Sequence, residues 1–193
     1  MPLNIPNALT LARILLIPLF LGVFYLPDNW MTLPERNLFA TGTFMLAAVT
    51  DWFDGYLARK LEQTSPFGAF LDPVADKLMV AAALIMLAEL DRITALVAFI
   101  IIGREITISA LREWMAKLGE SRSVAVSFIG KVKTAAQMGA IPLLLYHQPL
   151  AGINMHFVGS MLILVAVVLT LWSMVFYLRM AWPVLVGNQR PQK

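Results

Sequence analysis

Four aspartates hold the chemistry of this sequence. Asp51 and Asp54 stand three residues apart, and Asp72 and Asp76 stand four apart. At helical periodicity each pair shares one face of a helix. The first pair closes one long apolar stretch and the second opens the next, so a short connection makes the two helices antiparallel neighbours. The four carboxylates can then converge. Like charges gathered at a membrane boundary repel one another and resist desolvation. Hard divalent cations relieve both problems, and an oxygen-only ligand set suits Mg²⁺ or Mn²⁺. Two such ions about 4 Å apart can bridge a phosphate and stabilise both the attacking and the leaving oxygen. Asp51, Asp54, Asp72 and Asp76 are therefore the expected metal ligands. The bland alternative, solvated aspartates beside a membrane, explains one acid better than two helix-spaced pairs.

The residues between the pairs fit the same chemistry. Gly55 and Ala58 leave a helix surface open to a flat base or ribose, and Arg59 can hold a phosphate bidentately. Gly68 lets the returning chain approach without a side chain, although small residues also serve ordinary helix contacts. A second cationic group lies further along. Arg104 falls deep in an apolar stretch, and Arg112 follows eight residues later on the same face. Lys131 and Lys133 enter the next stretch. Intramembrane charge is costly and usually faces an interior cavity, so these four form an expected pocket for an acceptor that carries its own phosphate. The competing readings are a pair between Arg104 and Glu105, and plain charge bias for the others. Gly130-Lys131 lacks the spacing of a nucleotide P-loop.

These residues must be positioned by helices in lipid. The chain of 193 residues is 59% hydrophobic and 14% charged, with mean hydropathy +0.73, whereas soluble domains carry about a quarter charged residues. A spanning helix needs about 20 mostly apolar residues. That window predicts six spans, at 8–26, 37–53, 74–90, 93–114, 132–147 and 157–180, in one all-α domain over residues 1–193. Gln137 interrupts the fifth, and Pro18 and Pro142 are expected to kink theirs. Most Lys and Arg, including Arg13, Arg59, Lys77, Lys117 and Arg179, fall on the side of both termini; the opposite connections hold Arg36 and Arg92. By the positive-inside rule the aspartates and both termini are cytoplasmic. The pI near 9.4 then reflects loop bias and anionic headgroups rather than a nucleic-acid partner. Residues 1–12 lack a basic n-region, so no cleaved leader is expected. Cysteine is absent, which removes disulfides and thiolate metal sites from consideration.

The spacing Asp51-x2-Asp54-Gly55-x2-Ala58-Arg59-x8-Gly68-x3-Asp72-x3-Asp76 resembles the complete signature of the CDP-alcohol phosphotransferases. Asn7-Ala-Leu-Thr10-Leu-Ala-Arg13, Gly103-Arg104-Glu105 and Gly130-Lys131-Val-Lys133-Thr134 are similar to one bacterial branch of that family. The resemblance implies a six-span homodimer in the cytoplasmic membrane that moves a phosphatidyl group from CDP-diacylglycerol to sn-glycerol 3-phosphate, releasing CMP. It implies that Asp51, Asp54 and Asp72 ligate one Mg²⁺ and that Asp51, Asp72 and Asp76 serve the second. Asp76 is then also the general base. Gly55, Ala58, Arg59 and Ser65 contact the CDP moiety, helped by a turn over Asn7–Thr10. Rival acceptors within the family are inositol phosphate, serine and phosphatidylglycerol. From another class, a divalent-cation channel or transporter also gathers carboxylates, but near the bilayer midplane. His147 and His156 fall on the far side from the aspartates, and no H-x-K arrangement exists. Direct in-line displacement is expected rather than a phosphatidyl-histidine.

Overall fold

The computed structural model describes residues 5–60, 66–117 and 128–185, with side chains at 7–53, 60, 67–68, 70–117 and 130–182. Among these residues the chain forms six long helices: α1 (Ile5–Gly22), α2 (Leu33–Lys60), α3 (Pro66–Glu89), α4 (Ala95–Lys117), α5 (Phe128–Tyr146) and α6 (Met155–Leu185). Local signals explain where several begin. Thr32 precedes α2, and the Glu35 carboxylate accepts bonds from its N–H at 2.8 Å and its hydroxyl at 2.7 Å, so the first turn closes on itself. Pro66 opens α3, where its missing N–H costs nothing. Asn154 caps α6 by accepting the Phe157 N–H at 3.1 Å.

The structure differs from sequence expectation in two places. Residues 7–10 lie inside α1 rather than in a turn, because the Ala-Leu-Thr-Leu-Ala run continues the helix without a breaker. Between α5 and α6 a short antiparallel ladder pairs Pro149–Leu150 with Ile153–Asn154. Ala151 and Gly152 turn it with positive φ of 51° and 81°, the conformation a two-residue hairpin needs.

The helices enclose one main core. Phe20 of α1, Phe44 of α2, Leu84 and Leu87 of α3, Ile101 of α4 and Leu144 of α5 are buried together. α5 and α6 share the most extensive contact, α1 rests on α2 and α3, and α4 meets α6. Gly159 makes the α5–α6 approach possible: a Cβ there would lie 2.8 Å from Leu144 Cγ. A smaller cluster of Ile108, Met115, Tyr177 and Ala181 joins α4 to α6. At the end remote from the aspartates, buried Arg92 donates to the Leu144 and Leu145 carbonyls at 3.0 and 2.7 Å and to Asn37 Oδ1 at 2.6 Å. These bonds tie the α3–α4 connection to α2 and to the end of α5. Burial lowers the Arg92 pKa to about 10, which leaves it cationic at neutral pH.

Two segments among the described residues are long and apolar enough to cross a membrane, Asn7–Tyr25 with mean hydropathy 2.0 and Met155–Trp182 with 2.5. The outward surface is apolar well beyond those two. Leu15 on α1, Val49 on α2, Ile85 on α3, Phe99 on α4 and Trp172 on α6 are all exposed. Soluble monomers rarely leave so many large apolar side chains exposed, whereas a membrane protein requires it.

Candidate active site

α1, α2 and α3 bring the aspartates together with residues of the first helix. Thr10 and Arg13 lie three apart on one face of α1 and are both buried. Thr10 Oγ1 donates to Asp72 Oδ1 at 2.5 Å. Arg13 Nη1 donates to Asp51 Oδ1 at 2.5 Å, with the Arg13 side chain 1% exposed and that of Asp51 43% exposed. Asn7, one turn earlier on α1, is buried as well. A buried guanidinium against a half-exposed carboxylate lowers the cost of keeping each charged at this depth. In the sequence Arg13 stands out by its charge and by its place in the Asn7–Arg13 motif, neither of which names Asp51 as its partner. The signal that could have found its role is its position, since an ionisable residue inside an apolar stretch marks a functional site by default.

Asp51 and Asp76 face the same cavity, of about 310 Å³. Its other polar walls are Lys77 of α3, Glu105 of α4, and Lys133, Thr134 and Gln137 of α5; Val80, Leu84 and Ile101 close its apolar side. The cavity thus joins the aspartate helices to α4 and α5. Asp72 is turned toward Thr10 and does not line it. Among the described residues no three His, Cys, Asp or Glu side chains form a group that could hold an ion. Asp54 belongs to α2, but its side chain lies outside the described residues. The cavity walls carry carboxylates and no His or Cys, and hard oxygen donors fit a hard divalent cation.

The expected nucleotide contacts are only partly described. Gly55, Ala58 and Arg59 continue α2, but their side-chain surroundings lie outside the described residues, as does Ser65 altogether. Gly68 is buried near the start of α3.

The four expected acceptor cations separate. Lys133 is buried, lines the cavity, and donates to Glu105 Oε1. Arg104 is buried too, but Nη1 donates to Glu105 at 3.0 Å and Nη2 to Ser173 Oγ at 3.0 Å. Arg112 donates to the Tyr177 hydroxyl at 3.3 Å. Both guanidinium groups lie against the Tyr177 ring, at 5.7 and 5.4 Å from its centroid. Arg104 and Arg112 therefore share a face, as their spacing predicts, but that face looks to α6, and neither lines the cavity. Lys131 is exposed on α5. Glu105, one residue beyond Arg104, turns to the cavity and joins the arginine to Lys133. His147 and His156 stack on each other at 4.8 Å, edge to face, where α5 passes into α6.

Known proteins resemble this chain over nearly its whole length. A family model described as CDP-alcohol phosphatidyltransferase matches residues 3–172. A Pseudomonas fluorescens protein is 51% identical, over 98% of this chain and 96% of its own. A Yersinia enterocolitica protein is 52% identical over 94% of this chain and 97% of its own. A Shigella flexneri protein is 54% identical over 94% and 96%. Each of the three bears the name CDP-diacylglycerol–glycerol-3-phosphate 3-phosphatidyltransferase.

Proposed function

This chain belongs to the CDP-alcohol phosphatidyltransferase family, and we propose that it transfers the phosphatidyl group of CDP-diacylglycerol to sn-glycerol 3-phosphate. The products are phosphatidylglycerophosphate and CMP. The observation that carries this reading is the single cavity in which Asp51 and Asp76 meet Lys133. It sets carboxylates for a reacting phosphate beside a cation for the phosphate of an acceptor. The names of relatives identical at about half of all positions support the same substrates.

In the proposed reaction the acceptor's C1 oxygen bonds to the phosphatidyl phosphorus while the bond from phosphorus to the CMP oxygen breaks. Asp76 takes the proton from the attacking hydroxyl, a role that requires reach more than basicity. Asp51, Asp54, Asp72 and Asp76 would hold divalent ions, two Mg²⁺ with Mn²⁺ as a substitute. Bound there, the ions supply neutralisation of the diphosphate and a better leaving group in CMP. Arg13 and Thr10 orient Asp51 and Asp72 from behind. Gly55, Ala58, Arg59 and Ser65, with Asn7 and Thr10, form the CDP site. Lys133 grips the acceptor phosphate, and Arg104 and Arg112 add positive potential around it, whereas exposed Lys131 takes no part.

All six helices cross the bacterial inner membrane in this reading, forming one domain with both termini and the cavity at the cytoplasmic face. The apolar surface on α1, α2, α3, α4 and α6 supports it, as does the Lys and Arg bias. The assembly is a homodimer. A cation channel or transporter would have no use for a nucleotide. The discriminating test is mass spectrometry of lipids made by purified protein from CDP-diacylglycerol and Mg²⁺, with glycerol 3-phosphate, inositol phosphate and serine offered as acceptors. Phosphatidylglycerophosphate as the main product supports the proposal; phosphatidylserine, or no CMP release, refutes it.

A further inference from the structure

One polar group in the cavity wall is left over by this mechanism. Gln137 is 4% exposed and lines the cavity beside Lys133, yet its side-chain Oε1 has no hydrogen-bond partner. A buried amide oxygen without a donor is uncommon and points to a role beyond stability. None of the donors lining the cavity, Lys77, Lys133 and Thr134, bonds to it. Glu105 and Asp76 are acceptors when ionised, Thr134 donates to the Gly130 carbonyl, and Lys133 donates to Glu105 with its remaining N–H groups open to a ligand.

The spacing on α5 says what could supply one. Lys133 and Gln137 are four residues apart, so they share a face and are separated by a rise of about 6 Å. A three-carbon phosphate ester held by its phosphate at Lys133 presents its carbon-borne hydroxyls toward Gln137. We propose that Gln137 is a specificity-determining residue, whose amide oxygen accepts a hydrogen bond from the C2 hydroxyl of the acceptor. The C1 hydroxyl is then left facing Asp76 across the same cavity. This inference rests on the acceptor reading above and deepens it. It also explains why an amide, which costs hydropathy in a spanning helix, stands at this position rather than an aliphatic residue. A site built to bond a hydroxyl rejects an analogue that lacks it, because the buried partner stays unpaired.

The test compares sn-glycerol 3-phosphate with 3-hydroxypropyl phosphate, which keeps the phosphate and the reacting primary hydroxyl but has no C2 hydroxyl. With purified full-length protein and CDP-diacylglycerol, wild type is expected to favour glycerol 3-phosphate in kcat/KM by roughly ten- to a hundredfold. In Gln137→Leu that preference collapses through loss on glycerol 3-phosphate, while the KM for CDP-diacylglycerol stays unchanged. Gln137→Met, closer in shape, serves if the leucine variant does not fold. Equal use of both esters by wild type overturns the inference without any variant, as does a preference that survives in Gln137→Leu or Gln137→Met. Transfer to neither ester would instead sink the acceptor reading and the inference with it.

Discussion

Arg13 of α1 donates to the carboxylate of Asp51 on α2 at 2.5 Å, with the guanidinium buried and the carboxylate half-exposed toward the cavity. An ion pair so placed does more than add stability. It fixes which way one oxygen of Asp51 points and leaves the rest of the carboxylate open. Thr10 does the same for Asp72 one turn earlier, so α1 serves as the backing for both acidic helices.

Arg13→Ala should therefore lower transfer activity by roughly ten- to a hundredfold, the loss of one charge-assisted contact. Arg13→Lys should recover only part of it, because an ammonium lacks the planar fork. CMP release, read alongside thermal unfolding in detergent, checks both. Wild-type activity in Arg13→Ala would mean that Asp51 needs no backing from α1.

Lys133 and Lys131 are two residues apart but differ in burial. Lys133→Met should raise the acceptor KM by roughly ten- to a hundredfold, with little change in the KM for CDP-diacylglycerol. Lys131→Met, at an exposed position, should leave both near wild type. Steady-state kinetics with each substrate varied in turn separates these outcomes, and a donor-only defect in Lys133→Met would remove that lysine from the acceptor site.

Gly159 gives a prediction about the scaffold alone. A Cβ at this position would lie 2.8 Å from Leu144 Cγ and 3.2 Å from the Leu144 backbone nitrogen. Gly159→Ala must push α5 and α6 apart, at a cost of about 1–3 kcal/mol. Gly139→Ala is the control, since its Cβ would meet Leu162 at an ordinary 3.7 Å. Thermal unfolding should drop for the first and hold for the second.

Much of this architecture could be read from residue types. Apolar runs located all six helices, because outward-facing and core-facing positions along them are mostly apolar. The aspartates could be singled out by their spacing, but not which of them share the cavity: Asp51 and Asp76 line it, while Asp72 turns to Thr10. Rotation between helices was not legible. Arg104 and Arg112 were correctly assigned one face of α4, but whether that face met the cavity or α6 depended on how α4 sits against Tyr177. A one-residue step along α4 separates the two destinations, and Glu105 takes the other. The roles of Arg13 and Gln137 were not legible for a related reason. Each reads as an interruption of an apolar run until its partner, or its lack of one, is seen in three dimensions.

Orientation in the membrane follows from charge bias and is open to direct test. Because the chain has no cysteine, single cysteines carry no background. Gln63→Cys and Glu120→Cys should react with an impermeant thiol reagent only from the cytoplasmic side. Trp30→Cys and Ala151→Cys should react from the opposite side. The reverse pattern would strand the site away from cytosolic substrates.

The aspartates themselves are the centre of the account. The most direct measurement is CMP release from CDP-diacylglycerol, with saturating glycerol 3-phosphate and Mg²⁺, by folded Asp51→Asn and Asp76→Asn proteins. Both should fall by at least about 10²–10³-fold while remaining folded, Asp51→Asn less stable because Arg13 loses its counter-charge, and Asp76→Asn still able to bind the donor. CMP release at wild-type rates from either variant would contradict the carboxylate site.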